Sequence, residues 1–501
     1  MAWWSWPLVQ LVVWCCAGVL GALWWLWLTR LRVDLPGPPT VPILGNILEF
    51  REEPVKIRNA RDLHREYGDL IRFYMGPKLV VIVLHPDDVE HVLLTSKMVD
   101  RTYLIRRVLR MFCGDGLLTL GGRPWKFHRK LINPTFHSEL LEGFLEAFHE
   151  GGLYLCERLA STGGAATETY NPAFKAALRN IYDTVIGIKH DLLLPDDVSE
   201  DEMAGAMSDA MISITSILTR PWLYSKFLLK LTSKGRNAFK VMRMLEDATM
   251  TFITMRSATT EEGFTSKRMN LVESLIKPGG QPVMPLSEIR DEIMNLALAG
   301  TETTAVTMGF VLALLALHPE WQDAAQQELR EVFGQGGDFL RAASAADLGC
   351  LKVLESIIKE TLRLFPAVPM MFRDATKDLW LSRLGVLVPK GTTLAFMPGI
   401  THRLPEFFPD PQKFDPSRFL KDRDGKEHVC SYIPFGVGAR NCVGSQYARL
   451  QLKVFLSNVL RRFRILPQSC REDLEECILT VSHQPVKPIK VSCVPLHEHS
   501  T

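Results

Sequence analysis

No charged residue occurs from Met1 to Thr29, and Leu8 to Leu28 is almost wholly apolar. That run matches the roughly 20 residues that cross a bilayer as a helix. Trp24, Trp25 and Trp27 fall near its end, where interfacial aromatics belong, and Arg30 and Arg32 follow at once. The pattern predicts a membrane anchor over 1–29, with the remaining chain on the cytosolic side. A cleaved signal peptide fits less well, because a basic start and an A-x-A site are missing and the apolar run is too long. A mitochondrial presequence would be Arg-rich and amphipathic, which this segment is not. Residues 30–46, with Pro36-Gly37-Pro38-Pro39 and Pro42, read as a basic and proline-rich hinge that stops the helix and stiffens the exit. Residues 47–501 read as one body.

Within that body, Leu70 to Tyr74 and Val80 to Leu84 are rich in β-branched and aromatic residues about a Gly76-Pro77 turn, and predict two strands. Apolar positions then recur at three- and four-residue spacing over 125–160, 173–190, 203–217 and 235–256, which predicts helices. Ser287 reads as the N-cap of a long helix that His318-Pro319 ends, about 45 Å in all. It is apolar nearly all round from Ile293 onward, except at Gly300-Thr301-Glu302-Thr303-Thr304. As a membrane span it would carry Glu302 at the bilayer centre and lack a basic anchor after Leu317, so it reads as a core helix. Helices over 320–333 and 347–364, short strands over 377–397 and a helix over 444–463 complete a chain that is mainly α with small β-sheets.

Composition changes this picture little. The 501 residues would allow several domains by length, yet no Pro/Gly/Ser-rich linker, internal repeat or low-complexity tract divides them. A net charge of +2 gives no reason to invoke nucleic acid. None of the ten cysteines forms CxxC or stands at zinc-finger spacing to a histidine, so nine read as reduced, buried, inert thiols.

The tenth is Cys442, in Phe435 to Gly444, FGVGARNCVG. Three glycines in this stretch permit tight turns and close backbone approach to something flat and bulky. A cysteine just before a helix start sits among N–H groups that favour a thiolate. A thiolate pushes electron density onto a haem iron, and Arg440 is placed to pair with a cofactor carboxylate. The segment resembles the haem-binding loop of the cytochrome P-450 family, F-x-x-G-x-R-x-C-x-G, at every fixed position. The resemblance implies that fold, with haem between the long central helix and the Cys-bearing loop. It implies iron-protoporphyrin IX held by the Cys442 thiolate, with Arg440, Phe435 and Gly436 in the binding loop.

Four further stretches match in order. Glu360 and Arg363 share a helix face, and Arg418 stands in Pro416-Ser417-Arg418-Phe419. An isolated E-x-x-R is usually a surface ion pair; the resemblance makes these three a buried structural network. Trp125 and Arg129 share a helix face and resemble the family's W-x-x-x-R, which implies hydrogen bonds to the haem propionates. Ala299 to Thr304, AGTETT, resembles the oxygen-activation motif. There Ala299 and Gly300 leave space for dioxygen, and Glu302 and Thr303 act as the acid and hydroxyl that deliver protons. Arg373, after Pro366 and Pro369, resembles a strand residue that reaches a propionate, and His402 sits near a similar position.

The stretches from Gly116 to His137 and from His318 to Gly334 resemble the animal microsomal branch that contains the fatty-acid ω-hydroxylases and many insect enzymes. Many members of that branch have Glu where this chain has Ala299, and the Glu forms an ester with the haem. Alanine has no nucleophile, so the haem is expected to be non-covalent apart from its iron–sulfur bond. Thr301, where the branch often has His, also departs from it, and both changes weaken an expectation of strict terminal-carbon selectivity. By analogy the substrate walls fall in 101–118, 206–224, 293–300, 367–372 and 481–487, largely apolar stretches suited to a lipophilic substrate.

No flavin or nicotinamide motif is present, so electrons must come from a partner. The resemblance implies NADPH–cytochrome P-450 reductase, with cytochrome b5 as a further candidate, at the endoplasmic reticulum membrane. Lys126, Arg129, Lys130, Lys413, Arg440, Arg449 and Lys453 are candidates for a basic docking face, although charge runs are more often solvated faces. The leading reading is monooxygenation of a fatty acid, other lipid or xenobiotic. A reductase-independent haem-thiolate isomerase or dehydratase, and a non-catalytic haem or lipid binder, stay open; the Glu302-Thr303 pair argues against both.

Overall fold

The computed structural model describes residues 5–50, 58–187, 225–258, 270–277, 281–334, 339–420, 428–479 and 481–496, with scattered positions between 201 and 217. The first helix, α1 (Ser5–Leu28), leaves almost all of Val9–Leu28 exposed and is long and apolar enough to cross a membrane, a candidate anchor. Trp24 and Trp25 stay exposed, but Trp27 does not serve as an interfacial aromatic. Its ring packs edge-on against Tyr74, centroids 6.0 Å apart, and the Arg30 guanidinium lies over it at 3.4 Å. Trp27 is thus the joint between α1 and the body.

The proline-rich segment is fastened down rather than free. The strands β1 (Leu70–Met75) and β2 (Lys78–Val83) form where alternation predicts them, closed by Gly76 at φ +59°. Along β1, Arg72 N–H donates to the Pro36 carbonyl at 2.8 Å, and Tyr74 N–H donates to Asn46 Oδ1 at 2.9 Å. Leu35 joins the core beneath. Prolines suit this edge because they have no N–H to leave unpaired.

Next come α2 (Tyr103–Cys113), α3 (Gly122–Ile132), α4 (Leu145–Ala160), the short β3 (Thr167–Glu168) and α5 (Tyr170–Asn180). The single helix expected over 125–160 is therefore broken. Asn133-Pro134 opens a 3-10 turn, because proline cannot continue the α-helical hydrogen bonding, and a short helix, Ser138–Glu142, intervenes. The helix expected over 173–190 starts earlier and widens into a π turn, Ile181–Ile186, that Gly187 ends at φ +83°. The helix expected over 203–217 lies largely outside the described residues, whereas that over 235–256 appears as α6 (Ser233–Ala258).

The long helix α7 (Leu286–Leu317) has 32 residues and runs buried through the body, as the cost of Glu302 in a bilayer argued. Its cap is Pro285 rather than Ser287, which lies inside the first turn. Pro319 then opens α8 (Pro319–Phe333). The helix expected over 347–364 is split at Leu351 into Ala345–Cys350 and α9 (Lys352–Leu364). Then follow β4 (Met371–Asp374), β5 (Thr393–Phe396), α10 (Ser445–Leu460), β6 (Phe463–Pro467), β7 (Cys477–Leu479), β8 (His483–Pro485) and β9 (Lys490–Pro495).

One sheet runs β1-β2-β5-β4, with β2 and β5 parallel; a second runs β6-β9-β3, and β7 pairs only with β8. The main core lies along α7, with α4, α5, α9 and α10 packed around it. All ten cysteines are free. Cys113, Cys156, Cys430, Cys477 and Cys493 are buried as expected, but Cys15, Cys16, Cys350 and Cys470 are exposed.

Candidate functional site

The Cys442 loop is shaped by backbone bonds. Cys442 N–H donates to the Phe435 carbonyl at 2.8 Å, Gly436 N–H to Ile433 at 2.9 Å and Asn441 N–H to Gly438 at 3.0 Å. Gly436 and Gly438 take φ of +70° and +76°, where a side chain is strained. A Cβ on Gly438 would also meet the Leu93 carbonyl oxygen at 2.9 Å. The loop delivers Cys442 just before α10. Cys442 is accessible, yet enough protein surrounds it that burial pushes its thiol pKa up. The Gly444 N–H and the guanidinium groups of Arg129, Arg101 and Arg449 pull the other way without reversing that direction. A metal coordinated there holds the sulfur as thiolate.

Beside it stand arginines with no acid. Arg440 is buried and donates to the carbonyls of Val99, Leu117 and Leu120 at 3.0, 3.2 and 2.8 Å. Its guanidinium lies 3.8 Å over the Trp125 ring. Burial, then Arg101 and Arg373, hold its pKa down at about 8. Arg373 on β4 is likewise buried, donates only to the Phe372 carbonyl at 2.7 Å, and is held down at about 9 by burial and Arg101. Among the described residues the Nε atoms of Arg101 and Arg373 have no partner. None of the three arginines has a carboxylate at salt-bridge distance among the described residues. Buried cations are normally paired, so this donor set fits a carboxylate-bearing group supplied from outside, lying between the arginines and the cysteine. Trp125 therefore supports Arg440 with its face. Arg129 is half-buried and clamps the residue before Cys442, donating to the Asn441 carbonyl and Oδ1, both at 2.9 Å.

Along α7, Ala299, Gly300 and Thr303 are half-buried while Thr301, Glu302 and Thr304 are buried. Positions 299, 300 and 303 share one helix face, which forms an accessible stripe. Thr303 Oγ1 donates to the Ala299 carbonyl at 2.7 Å. Gly300 has a second constraint: a Cβ there would meet Ile181 Cδ1 at 2.7 Å, so the glycine also admits the π turn after α5. Glu302 is not open to the same space. Its carboxylate accepts the Tyr170 hydroxyl, the Ser482 hydroxyl at 2.6 Å and the Gln484 amide at 2.9 Å.

Glu360 and Arg363 are fully buried and paired through two bonds of 2.7 and 2.8 Å. Arg418 Nε lies 3.6 Å from Glu360, and Asp415 N–H donates to Glu360 at 2.9 Å. Arg363 also donates to the carbonyls of His402, Pro411 and Lys413. His402 belongs to this network and not to a propionate site. Its Nδ1 faces the Arg363 carbonyl at 3.3 Å, and its Nε2 accepts Ile433 N–H at 2.8 Å. Glu360, Arg363 and His402 thereby tie α9 to the start of the cysteine loop.

An accessible cysteine beside arginines that have no carboxylate at salt-bridge distance among the described residues, together with a helix stripe that carries Thr303, agrees with the family comparison: the cytochrome P450 model matches residues 35–492. The chain is a cytochrome P450. It is similar to cytochrome P450 4c21 of Blattella germanica, at 31% identity over 92% of this chain and 93% of the relative. It is 32% identical to cytochrome P450 4d2 of Drosophila melanogaster over 89% of this chain and 91% of that one. With cytochrome P450 4V2 of Mus musculus it shares 32% identity over 86% of this chain and 84% of the relative. The relatives agree with the expected animal branch. This P450 is an oxidoreductase of the haem-thiolate monooxygenase class, which uses dioxygen, a redox partner and a lipophilic substrate.

Of the expected basic face, Lys126, Lys130, Lys413 and Arg449 are exposed. Arg440 and Lys453 are not surface groups. Arg440 is turned inward, and Lys453 Nζ is buried on the Leu348 carbonyl at 2.9 Å and Glu355 at 2.7 Å. The proposed wall at 206–224 lies largely outside the described residues. Arg101, Tyr170, Ser482 and Gln484 were missed as individual site residues. Each is a lone polar residue far along the chain from its partners, with no motif to mark it.

Two stability effects follow from this P450's buried charges. Glu360→Ala should leave Arg363 uncompensated and cost about 3–5 kcal/mol, read as a lower urea midpoint. His402 and His483 are held at about 3, chiefly by burial and then by Arg363 and Arg403 respectively. Unfolded, each takes up a proton near pH 6.5; folded, neither does until about pH 3. Stability should be full above pH 6.5 and fall by roughly 2 kcal/mol per histidine at pH 5. Equal urea midpoints at pH 7.5 and 5 would contradict this.

Proposed function

We propose that this P450 hydroxylates a fatty acid, another lipid or a foreign apolar compound, with electrons from NADPH passed by NADPH–cytochrome P450 reductase. Cytochrome b5 is a second candidate donor. In sum, R–H, O2, NADPH and H⁺ give R–OH, H2O and NADP⁺. The observation that carries the reading is the accessible stripe Ala299, Gly300 and Thr303, with an acid adjacent in sequence. An isomerase that uses no external protons or electrons has no use for such a pair. Haem, when bound, supplies oxygen activation and electron transfer.

The chain's own residues do the rest. Cys442 holds the iron, and Arg101, Arg373 and Arg440 neutralise the propionates. Arg129 and Trp125 fix Asn441 and Arg440 in turn. Ala299 and Gly300 leave room for dioxygen. Thr303 holds a proton on Oγ1, and giving it up forward means leaving the Ala299 carbonyl. Lys126 and Lys130 flank Arg129, which is tied to the cysteine loop, so with Lys413 and Arg449 they offer a cationic surface to an acidic partner. The anchor α1 and the basic pair Arg30 and Arg32 support residence in the endoplasmic reticulum membrane, with the body cytosolic.

The reduced protein with carbon monoxide should show the red-shifted thiolate Soret band, and Cys442→Ser should abolish it. With reductase, NADPH and a lipid panel, alcohol should form. Thr303→Ala should divert electrons to peroxide, and an unchanged ratio of alcohol to NADPH would refute its proton role. A normal thiolate band with no NADPH-dependent product across the panel would count against the reading. Because Ala299 provides no carboxylate for an ester, acid–organic extraction should release haem intact; haem retained on the polypeptide would contradict this.

A further inference from the structure

Glu302 is the one acid next to Thr303, yet it makes no hydrogen bond to it. Its carboxylate is buried and receives three donors from two separate parts of the chain. Tyr170 comes from the first turn of α5, and Ser482 and Gln484 from the β7–β8 hairpin. Burial, and then the charge of Glu302, push the Tyr170 hydroxyl pKa well up, which makes it a holder of the carboxylate and a poor proton source. A carboxylate with all three neighbours donating to it is not free to turn toward Thr303.

One side of this arrangement rests on a small element. Among the described residues the β7–β8 hairpin pairs with no other strand and is three residue pairs long, and two-stranded hairpins have little stability of their own. Its position depends on its bonds to the body. Those are the two on Glu302, His483 N–H on the Ala367 carbonyl at 2.8 Å and His483 Nδ1 on the Pro366 carbonyl at 3.1 Å, with the His483 ring packed edge-on to Phe310 and Phe365. Ala367 opens the 367–372 stretch, and the hairpin turn opens the 481–487 stretch. These are two of the walls expected against a lipophilic substrate.

We infer that Tyr170, Ser482 and Gln484 are positioning residues that keep Glu302 away from Thr303 until a substrate displaces the β7–β8 hairpin. The inference rests on the monooxygenase reading. In the closed state Glu302 cannot resupply Thr303. A substrate seated against Ala367 and the hairpin turn loosens Ser482 and Gln484 and frees one carboxylate oxygen. Glu302 then takes a proton from water and passes it to the Thr303 oxygen as Thr303 gives its own proton to the dioxygen being reduced. Both residues return to their starting protonation and one solvent proton has moved per pass, so two passes supply the two protons that O2, two electrons and R–H need to give R–OH and water. Proton supply is thereby conditional on substrate.

The test uses the full-length holoprotein in phospholipid vesicles, with Tyr170→Phe and Ser482→Ala approaching the same carboxylate from opposite sides. Both should keep the thiolate carbon monoxide band. Without substrate, each should consume NADPH about tenfold faster than the parent, the scale of one lost hydrogen bond to a carboxylate. Added dodecanoic acid should then accelerate the variants much less than the parent. The second measurement needs no turnover. The infrared carboxylate band of Glu302, located by difference against Glu302→Gln, should shift in Tyr170→Phe. It should shift in the same direction when dodecanoic acid is added to the parent. A band unmoved by Tyr170→Phe and by Ser482→Ala, or substrate-free NADPH consumption unchanged in both variants, overturns the inference. If Tyr170→Phe does not fold, Ser482→Ala decides. Failure of the function reading looks different: no lipid yields alcohol, while the infrared shifts still report whether the clamp exists.

Discussion

Two kinds of buried arginine set the terms for this protein. Arg363 brings its acid with it: Glu360 lies one helical turn away, and their mutual bonds are complete. Arg440, Arg373 and Arg101 do not; burial holds all three pKa values down, and Arg101 adds to this at Arg440 and Arg373, with Arg373 adding at Arg440. A chain can carry the first kind alone, because the pair is neutral within its own fold. The second kind leaves a deficit of negative charge beside Cys442. A ligand that binds only the folded state stabilises it by mass action, and a dianionic cofactor is suited to that because it meets the deficit as well. The cofactor is thus part of the electrostatic balance of the core.

The geometry then divides along α7. One side of this helix carries the half-buried stripe of Ala299, Gly300 and Thr303. On the other, Glu302 looks toward α5 and the C-terminal hairpin. Adjacent residues on a helix point about 100° apart, so an acid next to an alcohol in sequence is not next to it in space. The pairing that the motif suggests is a pairing of opportunity, realised only if the acid turns.

What could be read in the sequence was whatever local chemistry determines. The strands 70–75 and 78–83 follow from alternation and a glycine turn, and the long helix from its apolar run and a proline stop. The Cys442 loop was legible because its glycines, arginine and cysteine lie within ten residues and each is required by the same turn. Two errors have local causes too: Asn133-Pro134 breaks a helix whose apolar spacing carries on regardless, and Pro285 takes the cap that Ser287 resembles. The other misreadings are long-range. His402 looked like a propionate ligand because its distance from Ile433 in space cannot be seen in the chain. Lys453 looked like a surface charge until Glu355 and the Leu348 carbonyl closed on it. Trp27 looked like an interfacial aromatic until Tyr74 and Arg30 enclosed it.

Arg101, Tyr170, Ser482 and Gln484 belong to that same class and show why it matters most at the site. A cofactor cradle repeats its motif wherever the same flat group must be held, so its residues cluster. Groups that only restrain a catalytic side chain need no fixed spacing; any donor on any neighbouring element will serve. Glu302 takes a phenol, an alcohol and an amide from segments separated by more than 300 residues. None carries charge, so none is marked by composition or by an ion pair. Neutral donors also suit a restraint that must open, since they hold a carboxylate less strongly than a cation would. A buried arginine in place of Tyr170 would fix Glu302 more firmly and remove it from the proton path.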